Sequence, residues 1–251
     1  MALGGLGLFL LEGAAGTALL LLFFPVRTLG KGFFSLHAAI AFAFVGLAVL
    51  VRPAGLPLAV AVASAACLGA YALAAHADRA GLGLPLLAAG GACAGWALGR
   101  VALVAPRGAG DAWVLAGAAL GGLFLGAVLL VMNLGHWYLV SRSLPFRLLA
   151  RGALLFALLA GARTALLGAA MLLDSGDGLT SLLSLERDAL FFLFRVMWGI
   201  VGPLALSWFI WKTADMKSNQ AATGLLYVAL VFVLIGELLS SYLTVATGFP
   251  A

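Results

Sequence analysis

A chain of 251 residues that is 65% hydrophobic and 9% charged does not have the composition of a soluble domain, in which about a quarter of residues are charged. Its apolar runs are far longer than the ~10-residue alternating strands of a membrane barrel, which leaves an all-α integral membrane protein. The net charge of +5 is what Lys- and Arg-rich cytoplasmic loops give and implies no nucleic-acid partner.

Charges and Pro/Gly breaks divide the sequence into eight apolar segments, at about 3–24, 34–51, 57–76, 84–105, 112–141, 152–173, 189–211 and 221–247. No loop is long enough for a soluble domain, so residues 1–251 read as one polytopic helical domain. The first segment, "MALGGLGLFLLEGAAGTALLLLFF", carries Glu12, lacks a basic n-region and is too long for a signal-peptide core, so it reads as a retained span. The second, in "KGFFSLHAAIAF", has His37 just inside its start. Cys67 and Cys93, in the third and fourth, lack metal-ligand spacing and read as buried small hydrophobes. His76, beside Asp78 and Arg79, reads as a solvated loop residue.

Small-residue stripes follow: Gly91, Gly95 and Gly99 in the fourth segment, Gly117/Gly121 and Gly122/Gly126 in the fifth. Such stripes let helix backbones approach closely in lipid. The fifth segment ends in "VMNLGHWYLVSRSLPFR", where helical spacing sets Asn133 on the same side as His136. The sixth contains Arg163. The seventh holds Arg195 and then "MWGIVGPLALSWFIWK", in which Pro203 should kink the helix and Trp208 and Trp211 suit an interfacial belt. The last segment, "VALVFVLIGELLSSYLTVATGFPA", sets Glu237 in apolar surroundings, with Ser240, Ser241 and Tyr242 just beyond it. No internal repeat is visible, which gives no support to a transporter built from inverted halves.

With eight spans both termini share a face. One set of loops carries Arg27, Lys31, Arg79, Arg142, Arg147, Arg151, Lys212 and Lys217; the other carries Arg52, Arg107 and Arg187. The positive-inside rule makes the first set cytoplasmic and puts both termini outside. The richness in Ala, Leu, Gly and Arg, with few Lys and Ile, suggests a high-GC bacterial genome and so a bacterial cytoplasmic (inner) membrane.

An ionisable group near the bilayer centre costs roughly 2.5–3.5 kcal/mol on insertion scales and marks a candidate site. Four residues qualify: Glu12, Arg163, Arg195 and Glu237. Counted from the outer ends of their spans at about 1.5 Å per residue, they lie roughly 13, 15, 9 and 15 Å deep. Two carboxylates and two guanidiniums at similar depth can neutralise one another, with Glu12 taking one arginine. Plain interhelical ion pairs are one reading of them, and proton exchange is the other. Glu237 has the better claim to a functional role, because Ser240, Ser241 and Tyr242 offer a hydrogen-bonding line toward the outer surface.

On the cytoplasmic side, His37 and His136 lie at comparable depth on two helices, the minimum for a bis-histidine haem b. Interfacial histidines that are merely hydrogen-bonded are the alternative. Asn133 and Trp198 complete the candidate cofactor-binding set. The sequence has no Walker loop, nucleophile elbow, CxxC or HExxH motif.

The stretch "LIGELLSSYLTVATGFP", with Gly236, Glu237 and Leu238, resembles the final helix of the quinol-interacting membrane anchors of molybdopterin oxidoreductases, of the dimethyl-sulfoxide-reductase and polysulfide-reductase types. "LLEGAAGTALLLL" is loosely similar to their first helix. The close match spans about 20 residues, and "NLGHWYLV" has no counterpart in that pattern. The resemblance implies a subunit that binds quinol or quinone and exchanges electrons with an extracytoplasmic iron–sulfur or cytochrome partner, beside other membrane subunits and lipid. A haem b carrier and a non-catalytic structural or assembly subunit are the alternatives.

Overall fold

The computed structural model describes residues 2–79, 81, 83–105, 110–141, 144–145, 147–173 and 186–251. Among them the chain is helical, without strands: α1 (Ala2–Leu21), α2 (Val26–Val51), α3 (Leu58–His76), α4 (Leu84–Ala102), α5 (Asp111–Val140), α6 (Arg147–Leu173), α7 (Glu186–Phe194), a π-helical segment (Arg195–Val201), α8 (Gly202–Asp215) and α9 (Asn219–Thr247). The seventh apolar stretch, Asp188–Asp215, runs unbroken through α7, the π segment and α8. Eight helices among the described residues are long and apolar enough to cross a membrane, the architecture of a multi-pass membrane protein. Arg107, Arg142, Asp174 and Asp177 lie outside the described residues.

Two boundaries and one backbone irregularity refine the sequence reading. The second span is preceded by a helical lead-in from Val26, joined across Gly30, whose φ of 73° breaks the helix. The segment carrying Arg27 and Lys31 is therefore not an open loop, and Lys31 bonds Asp78 at 2.8 Å, an exposed pair of small energetic weight. The sixth helix starts at Arg147, so Arg147 and Arg151 sit within its first turns. The disturbance expected at Pro203 takes the form of a π turn. Proline cannot donate and crowds the carbonyl four residues back; here Gly202 N–H reaches back five residues to Met197 O, and Pro203 sits in the first turn of α8.

α1 and α5 are the two central helices, mostly buried, whereas the other six spans turn most of their surface outward. α2 and α4 pack on α1, with α3 against α2 and α4; α6 and α9 pack on α5, with α8 against α6 and α9 and the π segment against α9. The central pair meets backbone to backbone. A Cβ on Gly16 would stand 1.7 Å from the Gly122 carbonyl oxygen, and one on Gly126 would stand 2.3 Å from the Gly16 carbonyl carbon. The fifth-span glycines are thus contact points. The α4 stripe behaves otherwise: Gly91 packs on Ala18 and Leu19, while Gly95 faces open space. Cys67 and Cys93 are free and half-buried rather than buried, because α3 and α4 lie at the periphery. The start of α1 meets the end of α9, where Val245 Cγ1 lies 3.1 Å from the Cβ position of Gly4, so both ends of the chain sit at one end of the bundle.

Candidate functional site, a buried charge cluster between four helices

Glu237 is fully buried in α9, one residue after Gly236. Gly236 matters because it removes a side chain where α9 touches the π segment: a Cβ on Gly199 would stand 2.7 Å from the Gly236 Cα. Through this slot passes the Arg195 guanidinium, whose Nη1 lies 3.0 Å from the Cβ position of Gly236. Arg195 Nη2 donates to Glu237 Oε1 at 2.9 Å. From α6, Arg163 approaches the same carboxylate with two prongs, Nε to Oε1 at 3.3 Å and Nη2 to Oε2 at 3.2 Å. Both arginines are essentially unexposed. Such two-pronged, charge-assisted bonding fixes geometry as well as charge.

Glu12, on α1, stands on the other side of Gly121. Its Oε1 and Glu237 Oε2 lie 3.2 and 2.8 Å from the point a Gly121 Cβ would occupy. α5 therefore contributes an absent side chain that lets two carboxylates converge. The expected pairing of Glu12 with an arginine is not made: both guanidiniums are drawn to Glu237, and no ion pair to Glu12 is found among the described residues. Glu12 Oε2 instead accepts a bond from the Ser241 hydroxyl at 2.9 Å.

Donors and acceptors in this cluster are unevenly matched. Arg163 Nη2 faces three acceptors, Glu237 Oε2, Ser240 Oγ at 2.6 Å and the Ala251 main-chain oxygen at 3.0 Å. Among the described residues, Arg163 Nη1, Arg195 Nε and Arg195 Nη1 have no acceptor, although all are buried. A buried donor left unmade costs about 1–3 kcal/mol, more when charged, so such atoms call for a reason.

The hydroxyl line expected beyond Glu237 does not run outward. Ser240 and Ser241 are buried and turn back onto the cluster, and Tyr242 packs edge-on against Phe191 at 5.5 Å. The turn that follows α9 closes this end. Gly248 adopts φ 72°, a left-handed helix stop that favours glycine. Phe249 and Ala251 then lie fully buried, with the Ala251 oxygen held by Arg163 and Ser240.

The histidine candidates form a different kind of group. His37 is fully buried; its Nδ1–H donates to the Phe33 carbonyl at 2.7 Å, and its Nε2 accepts from Asn133 Nδ2 at 3.1 Å. Both ring nitrogens are occupied, so His37 as placed does not fit an axial haem ligand, which needs a free nitrogen aimed at iron. Asn133 does not accompany His136. Three residues of helix leave them about 60° apart in direction, enough for Asn133 to face α2 while the exposed His136 bonds Tyr227 of α9 at 3.1 Å. Trp198 is remote from both histidines in the chain's packing: it lines an outward-facing apolar groove of about 630 Å³ with Met197 and Phe232, on which it stacks edge-on at 4.7 Å.

No family model, curated protein or solved structure matches this chain. The site therefore stands on its own geometry. Sequence reasoning missed one part of it. The closing turn at Gly248–Ala251 carries no charge to draw attention; "TGFP" was its one local signal, a glycine after a helix followed by a proline. Elsewhere Asp188, which follows Glu186 and Arg187 and looks like a loop charge in the sequence, is buried.

Proposed function

We propose that this chain is the quinone-handling membrane subunit of a bacterial respiratory or electron-transfer complex, with the Glu12–Arg163–Arg195–Glu237 cluster as the place where the quinone head is held and protons are exchanged. One observation carries the reading: among the described residues three guanidinium nitrogens lie buried without an acceptor, near a carboxylate, Glu12, that makes no ion pair and bonds the Ser241 hydroxyl instead. A quinone brings two carbonyl oxygens that accept from such donors, and a quinol brings two hydroxyl protons that such a carboxylate accepts. Oxidation of one quinol to quinone releases two protons and two electrons. Glu12 takes the two protons of the head group one after the other, passing the first outward before it accepts the second, while Arg163 and Arg195 orient the ring oxygens and Glu237 holds the two arginines in place. The electrons leave to an iron–sulfur or cytochrome subunit docked on the extracytoplasmic face, consistent with the outward placement of both termini by the positive-inside rule. The likeness of "GEL" and its surroundings to quinol-interacting anchors points the same way.

The two-pronged Arg163–Glu237 pairing favours a second reading, in which the cluster only locks four helices together. One variant separates the two. Arg195→Lys keeps the positive charge facing Glu237 but removes the free Nε and Nη1 donors. A short-tail quinone titrated into purified protein is expected to bind the wild type, and to bind Arg195→Lys at least tenfold more weakly with the thermal midpoint nearly unchanged. Equal binding by both proteins refutes the quinone site, and no binding by either leaves the lock.

A further inference from the structure

We propose that the segment Gly248–Ala251 is a gate, and that the Ala251 main-chain oxygen occupies a subsite for a ligand's carbonyl or carboxylate oxygen formed by Arg163 Nη2 and Ser240 Oγ. The identity of the ligand as a quinone rests on the reading above; the gate does not. The segment is built to close. Thr244 Oγ1 donates to the Phe249 carbonyl at 3.2 Å, the Phe249 N–H donates to Thr247 Oγ1 at 3.2 Å, and Phe249 is fully buried beside Leu167, Phe192 and Leu243. Pro250 seats on Gly117 of α5, its Cβ 2.7 Å from where a glycine Cβ would stand. The last contact is polar: the Ala251 oxygen accepts from Arg163 Nη2 at 3.0 Å and from the Ser240 hydroxyl.

The segment is also built to leave. Arg163 Nη2 has two N–H bonds to give and three acceptors around it. When the Ala251 oxygen departs, Glu237 and Ser240 still satisfy both, so the guanidinium loses no necessary partner. The hydroxyl of Ser240 is freed to donate to whatever oxygen replaces it. Apart from this oxygen, no main-chain group of Phe249–Ala251 bonds the cluster among the described residues; the segment's other contacts are apolar or within its own turn. The hinge is the single positive-φ residue at the end of α9, Gly248, where glycine changes conformation without a Cβ penalty. With the gate closed, the two carboxylates at Gly121 are sealed from the end of the bundle at which α1 starts; with it open, Ser240 and then Glu237 and Glu12 become reachable from that end.

The test reads access rather than activity. In a Cys67→Ser/Cys93→Ser background, Gly117→Cys and Pro250→Cys place two thiols where a small shift gives the ~3.8 Å Cβ spacing of a disulfide. A water-soluble carbodiimide with an amine nucleophile is applied in nanodiscs, and adducts on Glu12 and Glu237 are counted by mass spectrometry. The oxidised, locked protein is expected to label at least fivefold less than the same protein reduced. Gly248→Val, which strains the closed turn, is expected to label at least threefold more than wild type. Equal labelling of locked and reduced protein, or no labelling of either, overturns the gate, and the cross-linked pair answers the question even where Gly248→Val does not fold. Short-tail quinone binding to the locked and reduced forms is measured separately. Gated labelling with no quinone binding in the reduced form refutes the quinone reading alone; quinone binding that ignores the lock refutes the ligand subsite.

Discussion

Two of the buried polar groups among the described residues were signalled in the same way, by isolated polar residues in apolar helices. At one end His37 and Asn133 satisfy each other and the Phe33 carbonyl, without a charge and without a spare nitrogen on the ring. Toward the other, four charged side chains from α1, α6, the π segment and α9 converge with donors left over and a closing segment above them. A polar residue in a membrane helix is therefore not by itself a site. What separates the two groups is the remainder after pairing: the histidine group has none, and the charge cluster has three guanidinium nitrogens.

That contrast breaks most visibly at Glu237. Its replacement by Gln leaves two buried guanidiniums without the charged partner both of them bond, and breaking a buried pair costs about 3–5 kcal/mol. A large drop in thermal midpoint and in yield is expected, which makes this variant a poor probe of chemistry. Next comes His37→Ala, which strands Asn133 and opens a small hole. A loss of about 1–3 kcal/mol is expected, with quinone binding by the protein that folds unchanged. Weakened quinone binding in His37→Ala would erase the distinction between the two groups.

Glu12→Gln is expected to move stability by less than about 1 kcal/mol, because the amide oxygen still accepts from Ser241 and no guanidinium hydrogen-bonds the carboxylate among the described residues. Turnover of quinol in the native complex is expected to fall at least tenfold, since the group that takes the proton is gone. The smallest change belongs to His136→Phe. Its ring is exposed and bonded only to Tyr227 among the described residues, and its loss is expected within about 0.5 kcal/mol of wild type by thermal unfolding. An unstable His136→Phe would show that the histidine end carries more of the fold than its geometry shows.

The sequence made the eight helices legible, because twenty-residue apolar runs bounded by charges leave little choice once lipid is the solvent. Glu12, Arg163, Arg195 and Glu237 were equally visible as charges in such runs. Their pairing was not. Whether Arg163 takes Glu12 or Glu237 depends on how each helix is rotated, and nearly uniform apolar helices do not record rotation in their pattern. The same limit explains Asn133, which one turn of spacing tied to His136 and which tertiary packing gave to His37. The π turn had a cause in the sequence, Pro203 with Gly199 and Gly202 before it, but a proline dictates only that a bond is lost and not how the backbone absorbs it. The fold-back after Gly248 was hidden because it consists of apolar residues whose significance lies in one main-chain oxygen.

These points also redistribute the roles of the two carboxylates. Glu237 stood out in the sequence as the candidate for chemistry, yet in the structure it is the residue that both arginines need. Glu12, less conspicuous beside "GAAG", is the carboxylate that makes no ion pair among the described residues. The most direct measurement follows from this. Infrared difference spectra between the quinone-oxidised and quinol-reduced states of the purified protein report carboxyl groups that gain or lose a proton. A carboxyl band is expected in the wild type, lost in Glu12→Gln and retained in His37→Ala. A band that survives in Glu12→Gln, or no carboxyl band at all, would contradict proton exchange at this cluster.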